Sequence, residues 1–185
     1  MKRATQSTSM LLLAAGIALV SARAAAAQMT VYVVRHAEKA AAPAGDPPLS
    51  PAGRARAKAL VDSAKQAGVH AIITTQFLRT KETGAPTAAA LGITPEIVPA
   101  TSARSIQDVV AAVRKHAGET VLVVGHSNTV PGIIAGLGAE EPPAICDSEY
   151  DDLYVVKISA DGKATVSHGH YGARTPVGAN CSAMR

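Results

Sequence analysis

The segment Val31-Tyr32-Val33-Val34-Arg35-His36-Ala37-Glu38-Lys39 constrains this chain more than any other. An apolar, mostly β-branched run reads as a strand buried on both faces, the kind found in parallel sheets covered by helices. It stops abruptly at an Arg-His pair. Ligands in open α/β sheets bind at the carboxyl ends of the strands, so the pair places chemistry there. Two later stretches answer it. Arg79 opens a helical stretch after a second apolar strand, and Gly125-His126-Ser127 ends a third. Three strand ends thus carry two histidines and two arginines, a cationic set suited to a phosphoryl group, because the planar guanidinium fork fits phosphate bidentately.

The rest of the pattern supports such a sheet. Strands are predicted over 29–35, 69–75, 94–98 and 120–124, and helices over 51–67, 78–91, 105–116 and 131–137. Ser50 followed by Pro51 is an N-cap with proline at the first helical position, and Gly68 and Gly92 are helix stops. Pro86, inside the second helix, predicts a distortion or a break. Strands over 153–158 and 164–168 flank Asp161-Gly162, a hairpin turn signal. Alternating buried strands and helices predict an α/β fold: a three-layer sandwich with a mainly parallel central sheet and an antiparallel hairpin at one edge.

Residues 1–27 are set apart as a signal peptide. Lys2 and Arg3 precede an 11-residue apolar run (10–20) that is too short to span a bilayer, and Ala25-Ala26-Ala27 before Gln28 fits a cleavage site. Residues 28–185 are then a single domain, expected in the periplasm or secreted, with no membrane association after cleavage. The leader also removes Lys2, Arg3 and Arg23, so the 18 basic residues fall to 15 against 14 acidic ones and the net charge falls from +4 to +1. Little basic surface remains to argue for nucleic acid, and with no Trp there is no stacking platform for single strands. Export would place Cys146 and Cys181 in an oxidising compartment. That opens a Cys146–Cys181 disulfide pinning the tail, with two free thiols as the alternative. The sequence specifies no oligomeric state.

A mechanism follows from the cationic set. His36 must carry a lone pair to attack phosphorus, and crowding by Arg35 and Arg79 disfavours the imidazolium. Arg35, Arg79 and His126, with Ser127 beside it, then bind the substrate and stabilise the transferring phosphoryl oxygens. The backbone N–H groups near His126 and the helix that follows also favour an anion. Fixed cations supply the charge neutralisation, so neither metal nor cofactor is expected.

In order along the chain, Val33–Lys39, the stretch 46–53 (DPPLSPAG), the stretch 74–83 (TTQFLRTKET) and Val123-Val124-Gly125-His126-Ser127 resemble the motifs of the histidine phosphatase superfamily, which has the phosphoglycerate-mutase-like fold. The resemblance implies a small exported member that hydrolyses phosphomonoesters or phosphoramidates through a phosphohistidine on His36. Arg35, Arg79 and His126 would complete its phosphate pocket. Two positions depart from the family pattern. Ala37 stands where glycine is common, a small change expected to cost little. Ser127 stands where many acid phosphatases of the family carry their proton-donating Asp.

The general acid is therefore open. Glu38, Asp46, Asp151 and Asp152 are candidates, each weighed against an ordinary solvated carboxylate. Glu82 is expected to pair with Arg79 or a nearby Lys. Arg54, Arg56 and Lys58 read as a solvated helix surface. His168 and His170 share one face of an extended segment; without an acidic or Cys neighbour in sequence they read as strand-end or pocket-rim residues rather than a metal site. A weak acid favours good leaving groups. It also leaves two other readings standing: a binding protein for phosphate or a phosphorylated ligand and, less well supported, a phosphoglycerate mutase.

Overall fold

The computed structural model describes residues 28–175. The leader at 1–27 lies outside them, as does Cys181 and with it the proposed Cys146–Cys181 bridge. Ten elements follow in order: β1 (Met29–Arg35), α1 (Pro51–Ala67), β2 (Ala71–Thr74), α2 (Leu78–Leu91), β3 (Glu96–Ile97), α3 (Ser105–Arg114), β4 (Thr120–Gly125), α4 (Val130–Gly136), β5 (Asp152–Ile158) and β6 (Ala164–His170). The strands form one sheet in the order β3-β2-β4-β1-β5-β6. The first four are mutually parallel, while β5 runs antiparallel to both β1 and β6. This is the expected three-layer α/β architecture with an antiparallel hairpin at one edge.

Successive residues of a strand point to opposite faces, so a strand apolar throughout supplies two cores. Val31, Val33, Val121 and Val123 pack with α3 and α4 on one face. Val34, Leu122 and Val124 pack with α1 and α2 on the other. The chain leaves β1 towards α1 on one face and leaves the adjacent β4 towards α4 on the opposite face. The two connections diverge and open a crevice at the carboxyl ends of β1 and β4, where the strand order reverses.

α1 is closed at both ends as expected. The Ser50 side chain accepts from the Gly53 N–H, and Gly68 takes the left-handed conformation after the last turn. Its first turn lies hard against the loop that follows β1: a Cβ on Gly53 would sit 2.1 Å from the Glu38 carbonyl oxygen. The Ser50 N–H donates to that same carbonyl at 2.8 Å.

Two expectations are corrected here. α2 runs unbroken through Pro86. Its Thr80, Thr83, Gly84, Thr87 and Ala88 are buried against the sheet and α1, and this packing outweighs the one hydrogen bond proline forfeits. Arg56 is no solvated surface residue: it is 4% exposed and grips Glu38, with Nη2 to Oε1 at 2.8 Å. Its Nη1 donates to the Tyr171 carbonyl at 3.0 Å. The helix turns by about 100° per residue, which aims Arg56 inward while Arg54 and Lys58 stay exposed.

Gly53→Ala should lower the unfolding free energy in urea titrations by about 1–3 kcal/mol, the usual cost of overpacking, because the obstacle is backbone rather than a yielding side chain.

Candidate active site

β1 and β4 pair in parallel up to Arg35 opposite Gly125. One residue further, the His36 N–H donates to the Gly125 carbonyl at 2.9 Å. That bond carries the ladder past the end of the strands and brings His36 and His126 side by side, their ring centroids 5.5 Å apart and steeply tilted at 65°. Both rings are buried.

His36 Nδ1 lies 2.8 Å from the Ala37 carbonyl oxygen. A carbonyl only accepts, so Nδ1 carries the proton and Nε2 keeps its lone pair. Burial, then the neighbouring charges of Arg35, His126 and Arg79, lower the pKa of His36 to about 3, against the hydrogen bond to Ala37, which raises it. The expected neutrality of the ring is present, with desolvation as its larger cause and the arginines as the lesser. Ala37 takes no left-handed backbone, so its methyl costs nothing in conformation and packs with Leu49 and Ala57. Its N–H donates to Thr83 Oγ1 at 2.9 Å, which ties the loop to α2.

His126 Nε2 lies 3.1 Å from Thr75 Oγ1, which lies 2.8 Å from Thr80 Oγ1. The ring also packs edge-on against Phe77 at 5.4 Å. Burial, followed by Arg79 and Arg35, lowers its pKa to about 4. The His126 N–H donates to Thr129 Oγ1 at 3.0 Å. That amide is therefore engaged, and α4, seven residues long, begins only at Val130. The anion-binding groups of this turn are thus side chains rather than the His126 amide.

Arg35 is 4% exposed, and its Nη1 donates to three carbonyls, at 2.7 Å to Cys146, 3.2 Å to Asp147 and 2.8 Å to Glu149. The guanidinium stacks on Tyr150, with Cζ 4.1 Å from the ring centre. Nε is buried and has no acceptor. Nε and Nη2 form the side-on edge of the fork, so the tether through Nη1 leaves that edge for an oxyanion. Half-buried Arg79 is held from two sides: its Cζ lies 4.2 Å over the Phe77 ring, and its Nη1 lies 3.6 Å from Asp46 Oδ1.

Arg35, His36, Arg79, His126 and Ser127 line one pocket of about 420 Å³, together with Lys39, Phe77, Asn128, Asp147 and Tyr150. Arg35, Lys39 and Arg79 there face a single carboxylate, that of Asp147. The balance favours an anion.

None of the four candidate acids lines this pocket. Glu38 is bound bidentately by Arg56. Asp46 accepts from the Leu78 N–H at 2.8 Å, capping α2 from outside the helix, and braces Arg79. Asp151 and Asp152 sit at the start of β5 beside His168 and His170. Glu82 accepts from the Leu49 N–H at 2.6 Å rather than pairing with Arg79 or Lys. Asp147 and Tyr150 were missed because they come from an irregular stretch with no motif, brought over the pocket by the Arg35 tether. Thr75 was readable as a strand end; its contact with His126 was not.

Fold and site define a three-layer α/β protein with an anion pocket built around a neutral histidine at a strand end. The chain resembles the histidine phosphatase superfamily. The superfamily's branch 1 model matches residues 31–107, which hold Arg35, His36 and Arg79. The structure resembles that of the protein histidine phosphatase SixA complexed with tungstate (20% identity, TM-score 0.62, covering 77% of this chain and 97% of that chain). It also resembles a protein from Nakamurella multipartitia assigned as phosphohistidine phosphatase SixA (25%, TM-score 0.59, 80% and 99%). A phosphoserine phosphatase in complex with 3-phosphoglyceric acid from Entamoeba histolytica shares the fold (12%, TM-score 0.59, 78% and 98%). No curated protein matches the sequence.

In an NMR titration of the ligand-free protein, the His36 and His126 rings should stay neutral from pH 8 down to about 5, where an ordinary histidine titrates near 6.5. The stability consequence has a definite sign. Between the ordinary 6.5 and the lowered values of about 3 and about 4, the unfolded chain binds protons that the folded one does not. The urea midpoint should therefore fall as pH drops below about 6.5.

Proposed function

We propose that this protein is a metal-independent phosphohydrolase that works through a phosphohistidine on His36. The observation that carries this reading is the His36 Nδ1–H held on the Ala37 carbonyl, which leaves Nε2 as a buried, neutral nucleophile facing a cationic pocket. Nε2 attacks phosphorus while the bond to the leaving group breaks. The side-on edge of Arg35, with Arg79, His126 and Ser127, holds the phosphoryl oxygens as charge develops on them. Water then attacks phosphorus, the P–N bond breaks, and His36 is restored as inorganic phosphate leaves.

The leaving group needs a proton, and the pocket offers one carboxyl, Asp147, which is 58% exposed and 4.0 Å from Arg35 Nη2. A carboxyl held at the exposed rim beside Arg35, rather than in the depth of the pocket, is a weakly placed proton donor. The substrates that fit are those whose leaving groups need little protonation: aryl phosphates, anhydrides and phosphoramidates. Action on a phosphoramidate accords with the phosphohistidine phosphatase assigned from Nakamurella multipartitia. We also propose export, from the leader-like residues 1–27.

The purified protein should release phosphate from p-nitrophenyl phosphate in excess chelator, and His36→Ala should cost at least about 10³-fold in kcat, as loss of a covalent nucleophile does. Arg79→Ala should cost about 10²-fold or more. Saturable phosphate binding without turnover would instead establish a binding protein. Asp147→Asn should slow a simple alkyl phosphate more than the aryl ester; equal losses would remove Asp147 from the mechanism.

A further inference from the structure

A second cluster lies outside the pocket, at the β5–β6 edge of the sheet. Asp152 opens β5 and pairs in register with His170 of β6; His168, two residues earlier on β6, points to the same face. Asp152 Oδ1 lies 2.7 Å from His168 Nε2 and 3.7 Å from His170 Nδ1. These three donor atoms all lie within 4.8 Å of one another.

Two further contacts set the chemistry. The His168 ring stacks on Tyr154 at 4.8 Å, nearly parallel at 15°, which fixes its plane. Behind His170, the Asp151 side chain is 4% exposed and its Oδ2 reaches to 3.2 Å from His170 Nδ1. That oxygen is buried with no hydrogen bond, although the Arg174 Nε lies 3.3 Å away. Asp151 Oδ2 thus stands between the Arg174 guanidinium and the His170 ring, a carboxylate oxygen with ion-pair neighbours but no aligned hydrogen bond, within reach of a cation bound at the two imidazoles.

We propose that Asp152, His168 and His170 form a binding site for a divalent transition-metal ion, zinc by its donor set, with Asp151 Oδ2 or water completing the coordination. Imidazole nitrogen and carboxylate oxygen are the ligands of four-coordinate zinc, bound at about 2.0–2.2 Å. Donors around such an ion stand roughly 3.4 Å apart by tetrahedral geometry, so the observed 2.7 and 3.7 Å, and a third separation of no more than 4.8 Å, need adjustments of at most about 1.4 Å, within side-chain rotation. The Asp152 carboxylate offsets part of the ion's charge, and Asp151, shared with Arg174, adds to it. His168 and His170 are surface-accessible, so the ion can enter without unfolding the edge.

The site is independent of phosphoryl transfer, since none of its residues lines the phosphate pocket. Its effect is on the edge strand: the ion would cross-link β6 to the start of β5 and to the Asp151 segment that Arg174 approaches. A closed, charged edge is also protected from pairing with another chain.

The test is calorimetric titration of the metal-stripped protein with zinc chloride, paired with thermal melts with and without zinc. The expected result is one ion per chain and a raised Tm. His168→Ala and Asp152→Asn should each weaken binding by at least about tenfold and abolish the shift in Tm. His36→Ala, which removes an imidazole from the phosphate pocket, should leave zinc binding intact. Should one of the edge variants fail to fold, the other decides, with zinc-free circular dichroism as the check on folding. Absence of stoichiometric zinc binding would overturn the site, and so would binding that survives both edge variants or disappears with His36→Ala. The cluster would then be a set of His–Asp ion pairs.

Discussion

One backbone hydrogen bond sets the geometry on which the site depends. The His36 N–H reaches the Gly125 carbonyl one step beyond the last paired residues of β1 and β4. Because the two strands are parallel, both chains arrive at the same end of the sheet. Because their helices lie on opposite faces, both chains then turn away and leave space between them. The two imidazoles therefore reach the crevice as neighbours. Their placement follows from ladder register and a doubly covered sheet.

Holding charged groups at such a point requires compensation, and the surroundings of the pocket supply it. Arg35 keeps its charge in the interior by giving Nη1 to three carbonyls of the 146–149 stretch. The same bonds fold that irregular stretch over the crevice and bring Asp147 and Tyr150 to its rim. Asp46 serves two ends at once, capping α2 and bracing Arg79 at its first turn. Glu38, Arg56 and the Tyr171 carbonyl tie the loop after His36 to α1 and to the segment after β6. Removing Glu38 would leave the buried Arg56 guanidinium without its counter-charge.

Much of this was legible in the sequence, for physical reasons. Runs such as Val31–Val34 and Val121–Val124 have no charged face, and only a sheet covered on both sides buries them as they are here, Tyr32 alone staying half-buried. Arg35, His36, Arg79 and His126 were identifiable because each sits where a strand ends or a helix begins. What was not legible depended on long-range placement. Glu38 and Arg56 are 18 residues apart, and Arg35 and Cys146 are 111 apart. Nothing in local periodicity couples them. Asp152 and His168, 16 apart, become neighbours only through the register of the hairpin. Local rules also misjudged Pro86, where tertiary packing overrides propensity.

The placement of the acids fits the nucleophilic role proposed for His36. A carboxylate beside His36 would favour the imidazolium and remove the lone pair the attack needs. It would also repel a phosphate dianion. The four predicted acids are instead held outside the crevice, bracing cations, capping a helix or facing the edge histidines. The one carboxylate on the pocket, Asp147, stands at the exposed rim, where water screens it from His36. A site arranged this way keeps His36 neutral and the pocket around it positive, but it holds no buried carboxyl to donate a proton. On the proposed reading, its substrate range is then set by the leaving group more than by the acid. That would link the neutral histidine at the end of β1 to the kind of phosphorylated compound the proposed reaction favours.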